Sequence, residues 1–188
     1  ALVQFPAQKE TNEPLPLILL LHGYTMDAKD QDAYFRLSDV VDGRRFILVL
    51  ANGTRENSPG AFRFWNAIPN ACCNFYGSTV DDVEYLNQLI ATTKENYEID
   101  SRRVYVVGYS NGGFMAHRMA CDKATEIAAI VSFAGSTYHD EERCGAEEPV
   151  STLQIHGTLD TVVPFAGKNT GGFNYPGASE TVTRLARS

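Results

Sequence analysis

The five residues Gly108-Tyr109-Ser110-Asn111-Gly112 constrain this chain more than any others. Just before them, Val104, Tyr105, Val106 and Val107 form a short β-branched and aromatic run, the composition of a buried strand. Just after them, Phe114, Met115, Met119 and Ala120 recur at helical spacing. A chain that passes from strand to helix within so few residues must bend sharply. Glycines on both sides of Ser110 remove the side chains that would obstruct the bend. The bend predicts a Ser110 Oγ lifted clear of the sheet. It also predicts the first N–H groups of the helix aimed at whatever that oxygen meets. The bare G-x-S-x-G pattern arises readily by chance; the strand before it and the helix after it give it meaning.

The chain of 188 residues is long enough for one domain with a proper core, taken as 1–188. A formal net charge of −7 argues against nucleic acid and anionic membranes as partners. The longest apolar run, residues 15–21, suits a buried strand and is far too short to span a bilayer. Residue 1 is Ala, not Met, so the numbering is expected to start at a processed or engineered end.

Residues 17–21 and 46–50 read as buried strands, with residues 2–5 as an edge strand cut short by Pro6. Residues 54–77 form a long, aromatic, irregular segment of the kind that carries function. Ser78 or Thr79 is expected to cap a helix whose first turn holds Asp81 and Asp82. Val83, Leu86, Leu89, Ile90 and Tyr97 supply its apolar stripe. Residues 127–133 and 152–155 read as further strands, and 180–186 opens a last helix. Apolar strands alternating with amphipathic helices predict a mostly parallel sheet with helices on both faces. With the bend at Ser110, that architecture is an α/β-hydrolase.

Cys72, Cys73, Cys121 and Cys144 do not have the spacing of a zinc site. Adjacent Cys72 and Cys73 are not expected to bridge each other. Cys144 is expected to pair with one of them, leaving Cys121 as a buried thiol. Disulfides imply an oxidising compartment.

Acyl transfer by a serine needs a nucleophile, a base, an acid to orient the base, and an oxyanion hole. Ser110 supplies the first. The N–H of Asn111, the residue after it, supplies one oxyanion donor. The second is expected from the loop after residues 17–21, at Tyr24 N–H with Thr25 assisting. Asp160, in the loop after residues 152–155, is the candidate acid, following the chain order Ser…Asp. Asp81, Asp82 and the run Asp140-Glu141-Glu142 read as helix-dipole and wet-loop residues. This chemistry requires no metal and no organic cofactor.

Several separated segments fall in one order: LLLHGYTMDA, Trp65-Asn66 with Cys72-Cys73, VDDVEYL, RVYVVGYSNGGFMAHRMAC and IHGTLDTVVP. Over residues 17–182 the chain resembles the polyhydroxybutyrate depolymerase and feruloyl esterase family of secreted bacterial esterases (carbohydrate esterase family 1). The resemblance implies Ser110 as nucleophile and Asp160 as triad acid. It implies that residues 65–75, Trp65 included, border the substrate cleft, with Phe165 near the site. The implied partner is a plant-derived or polyester-derived ester, and the implied location is extracellular.

That family places its triad histidine after a further strand, and residues 180–188 lead to none. His22 and His156 occupy strand-end H-G positions that look structural, bonding nearby backbone. His117 reads as a helix-surface residue, and His139 is a remote candidate for a substitute base. The expectation is therefore a C-terminally truncated esterase of low activity that lacks the last strand and helix and self-associates through an exposed sheet edge. The rival is an inactive module that keeps the cleft to bind a polymer.

Overall fold

The computed structural model describes residues 1–7, 13–145 and 148–186. In chain order the strands are β1 (Leu2–Gln4), β2 (Leu15–Leu21), β3 (Ile47–Ala51), β4 (Thr54–Arg55), β5 (Arg63–Phe64), β6 (Ile99–Tyr109), β7 (Ala129–Phe133), β8 (Ser151–Ile155), β9 (Gly167–Thr170) and β10 (Phe173–Pro176). The helices are α1 (Ala28–Phe35), α2 (Val41–Arg44), α3 (Asp82–Asn96), α4 (Asn111–Asp122) and α5 (Ala178–Leu185). One sheet has the order β1-β3-β2-β6-β7-β8. Every neighbour pair in it is parallel except the β1–β3 edge.

The apolar runs explain the layering. Leu17, Leu19 and Leu21 of β2 point into the larger core with Val104 and Val106, against Phe114, Met115 and Met119 of α4 and Leu86 and Ile90 of α3. Leu20 points the other way, with Leu48 and Leu50, against Ala28 and Val41 at α1 and α2. Alternate residues serve alternate faces because successive strand side chains point to opposite sides. Both faces are thus covered, as the unbroken apolar strands require. This is the α/β-hydrolase arrangement that the sequence implies.

The register brings five strand ends together. Leu21 lies beside Ala51 and Gly108, while Tyr109, Phe133 and Ile155 are aligned across β6, β7 and β8. Loops leaving the C-terminal ends of parallel strands form the usual crevice of open α/β sheets. On the far side, β8 is the sheet edge, where Leu153 and Ile155 are 55% and 41% exposed.

Three local expectations need correction. Helix α3 is capped by Asp81, whose Oδ1 accepts the Glu84 N–H at 3.0 Å, not by Ser78 or Thr79. Cys144 bonds Cys121, with the two Cα atoms 4.8 Å apart, and Cys72 bonds its neighbour Cys73. The reason for the first pairing is topological: the turn at Glu141–Cys144 folds back onto α4, whose last turn carries Cys121. His117 is not on the helix surface but fully buried.

That burial makes a pH prediction when set beside Asp82. His117 Nε2–H donates to Gln154 Oε1 at 2.9 Å, and its Nδ1 has no partner among the described residues. Burial pushes its pKa down from 6.5 to about 4. Its contribution to stability is therefore full above pH 6.5 and lost as pH falls towards 4, by about 3 kcal/mol. Asp82 is also buried, where its Oδ2 accepts the Asn66 N–H at 2.7 Å, and burial raises its pKa from 3.8 to about 6. The sign is opposite: its contribution is full below pH 3.8 and lost as pH rises through 6, by a similar amount. The two offset each other between pH 4 and 6. Asp82→Asn should gain stability over the parent at pH 7.5 and lose that gain by about pH 4. His117→Gln should improve relative to the parent as pH falls through the same range. Urea midpoints of the three proteins at several pH values check both slopes.

Candidate active site

The bend at Ser110 has the predicted form. Ser110 takes φ 52° and ψ −116°, a conformation that favours glycine. Its N–H donates to Phe133 O at 2.7 Å, extending the β6–β7 ladder one residue, and its carbonyl accepts the Phe114 N–H at 3.0 Å. The bend forms because two backbones nearly touch. A Cβ on Gly108 would lie 2.0 Å from Gly112 O, and one on Gly112 would lie 2.4 Å from Leu21 O. Only glycine at both places lets α4 start directly over β2 and β6.

Because Ser110 occupies the N-cap of α4 without a side-chain cap bond, the first N–H groups of that helix stay open. The Asn111 side chain is spent elsewhere. Its Oδ1 accepts the Trp65 N–H at 2.6 Å, and its Nδ2 donates to Trp65 O at 3.0 Å. This amide pins the 65–73 loop to the bend. Trp65 itself corrects an expectation: it is fully buried, donating Nε1–H to His22 O at 3.0 Å, and its ring does not face the cleft.

His22 holds the opposite wall. It is buried, its Nδ1–H donates to Gly23 O at 2.8 Å, and its Nε2 accepts the Gly53 N–H at 2.9 Å. Burial lowers its pKa, which keeps the ring neutral. Gly23 N–H goes to Gln31 Oε1 at 3.1 Å, and Thr25 N–H goes to Arg63 O at 3.0 Å. The Thr25 N–H is therefore committed and cannot assist Tyr24, whose own N–H has no partner among the described residues. The Tyr24 hydroxyl donates to the Glu56 carboxylate, with oxygens at 2.9 and 3.1 Å. Burial and that carboxylate raise the Tyr24 pKa to about 12.

Between these walls lies a cavity of about 390 Å³. Ser110, Tyr24 and Thr25 line it, as do Cys72 and Cys73. Phe165, expected nearby, does not line it; its ring stands edge-on to His156 at 5.7 Å between centroids. The 167–176 hairpin was not anticipated, yet it supplies Lys168, Phe173 and Tyr175 to the cavity wall. The signal was present: Gly171-Gly172 between two short runs is a two-residue hairpin turn, and both glycines have positive φ.

Asp160 sits at the rim of this cavity. Its Oδ1 accepts the N–H groups of Val162 at 2.8 Å and Val163 at 2.9 Å, and both valines line the cavity. Its charge helps raise the pKa of the cavity residue Tyr175, after burial. Its Oδ2 lies 3.8 Å from His156 Nε2. That nitrogen donates instead to Val163 O at 2.7 Å, while His156 Nδ1 accepts from Gln154 Nε2 at 3.2 Å. A relay of side chains, His117 to Gln154 to His156, thus ties α4 to the Asp160 loop. None of the four histidines, His139 included, lines the cavity among the described residues.

Comparison with known proteins places this geometry. The phospholipase/carboxylesterase family profile matches residues 2–171. A bifunctional acetylxylan esterase/xylanase of Neocallimastix patriciarum is 27% identical over 150 residues, 80% of this chain and 20% of that protein. A probable feruloyl esterase C of Aspergillus niger is 26% identical over 167 residues, 88% of this chain and 56% of that protein. The solved structure of esterase PE8 superposes with a TM-score of 0.67 at 21% identity, covering 98% of this chain and 82% of the other. The chain thus spans between a fifth and somewhat over half of the curated relatives it matches.

Proposed function

The chain belongs to the phospholipase/carboxylesterase family, and from that premise we propose that it hydrolyses carboxylic esters through Ser110. The Oγ adds to the ester carbonyl carbon, and the carbonyl oxygen takes the charge. The Asn111 and Tyr24 N–H groups receive that oxygen, each contributing about 3 kcal/mol to the transition state. Collapse expels the alcohol and leaves an acyl group on Ser110, which water then removes. The Ser110 proton must pass to an imidazole, and Asp160 Oδ2, free of backbone donors, is the acceptor that would orient it. The base itself is not assigned to any of the four histidines of this chain.

One observation carries the proposal: a strained serine at the head of an uncapped helix opens onto a largely apolar cavity. The names of the relatives favour feruloyl or acetyl esters, and the rings of Tyr24, Phe75 and Phe173 on the wall suit an acyl group of that size. Polyhydroxyalkanoate-type esters fit the same wall. The two disulfides support an extracellular setting.

A fluorophosphonate probe tests the reading. It should label the protein, with the adduct mapped to the peptide holding Ser110, and label Ser110→Ala not at all. An unlabelled parent protein, with p-nitrophenyl acetate and methyl ferulate untouched, would overturn it.

A further inference from the structure

The cavity beside Ser110 has one charged side chain in its lining, Lys168. It stands on β9, opposite Tyr175 of β10, with Nζ 4.4 Å from the centre of the Phe173 ring. The face of an aromatic ring attracts an ammonium and holds it in place. Among the described residues no carboxylate pairs with it. Other cations of the chain do find carboxylates: Lys94 with Glu126, Arg118 with Asp122, Arg184 with Glu141. In a chain with 23 acidic and 16 basic residues, an ammonium in an apolar cavity lining with no paired carboxylate among the described residues, Asp160 at the rim being held by the Val162 and Val163 N–H groups, can receive an anion.

We propose that Lys168 is a specificity determinant that receives a second, ionised carboxylate on the ester bound at Ser110. The substrate class is then a carboxylate-bearing ester, such as the half-ester of a dicarboxylic acid. This rests on the ester-hydrolase reading for its catalytic meaning, though not for its binding. The wall beside the ammonium is apolar, with Phe173, Tyr175 and Val162 in the same lining, and of these Tyr175 is buried, which weakens local screening of the charge. A charge-assisted hydrogen bond there makes the carboxylate favoured by about tenfold over a neutral group of the same shape.

Equilibrium binding decides it without turnover. 4-Phenylbutyrate and its neutral amide are titrated into the parent protein, Lys168→Met, Lys168→Gln and Lys168→Arg at low and high salt. The parent should bind the carboxylate about tenfold tighter than the amide at low salt, less so at high salt. Lys168→Met and Lys168→Gln should bind the two equally, and Lys168→Arg should keep the preference. No preference in the parent, or a preference that survives in the Met and Gln variants, overturns the proposal. Rates on p-nitrophenyl hydrogen succinate and p-nitrophenyl butyrate separate the two readings. A protein that hydrolyses neither ester yet prefers the carboxylate refutes hydrolysis through Ser110 and upholds the role of Lys168.

Discussion

Ser110→Gly should abolish ester hydrolysis and at the same time make the protein more stable. The loss follows from removing the Ser110 Oγ, the proposed nucleophile. Loss of the nucleophile in a complete serine hydrolase costs on the order of 10⁶ in turnover, so the variant should keep at most the residual rate that binding and the oxyanion donors supply. The gain follows from the backbone. A non-glycine residue at φ 52° and ψ −116° carries strain worth about 1–3 kcal/mol. Glycine relieves it, at the cost of about 0.5–1 kcal/mol of extra freedom in the unfolded chain. The net is about 1 kcal/mol, or roughly 2–4 °C in the unfolding midpoint of a domain this size. Ser110→Ala is the control: equally inactive, yet still strained, so without the gain. Calorimetry of the three proteins separates the effects. A Ser110→Gly protein no more stable than Ser110→Ala would show that the bend stores no strain.

Gly112→Ala should do the opposite and damage the fold itself. Its new Cβ would stand 2.4 Å from Leu21 O and 2.7 Å from His22 O. These are backbone atoms at the buried end of a central strand, with no rotamer to yield. The first turn of α4 would have to lift off β2, opening the packing of Phe114 and Met115. A loss of about 3 kcal/mol or more is expected, lowering the midpoint by roughly 6–12 °C. The displacement also moves the Asn111 N–H, so activity should fall further than stability alone explains. Alanine at Gly43, where an added Cβ meets nothing within 4 Å, should be tolerated and serves as the reference. Equal midpoints for the two variants would mean that the close approach of α4 to β2 is not what holds the bend.

Legibility in the sequence followed the range of the interaction. The bend was readable because its causes are local: a β-branched run, two glycines and a helical period within about 15 residues. The mostly parallel sheet and its two helix-covered faces followed from alternation rules that need no distant partner. Trp65 was misplaced because an aromatic in an irregular loop can cover a core or line a cleft with the same local sequence. What decided it was the Asn111 amide 46 positions away, which draws the loop inward. The cysteine pairing failed for the same reason, since the fold-back of the 141–144 turn onto α4 has no local signature. His117 has a polar side chain in an amphipathic helix, and only Gln154 on the neighbouring strand makes its burial tolerable.

By itself, the sequence determined that a hydroxyl would be raised at the end of a central strand beneath open N–H groups, because strand, glycine and helix propensities act over neighbouring residues. The tertiary structure alone decided what that hydroxyl faces. The 167–176 hairpin carries Lys168, Phe173 and Tyr175 into the cavity wall, and the Asp160 loop is tied to its rim. Those placements depend on how separate segments close over the sheet, and the free energy of closing a loop depends on contacts made far along the chain.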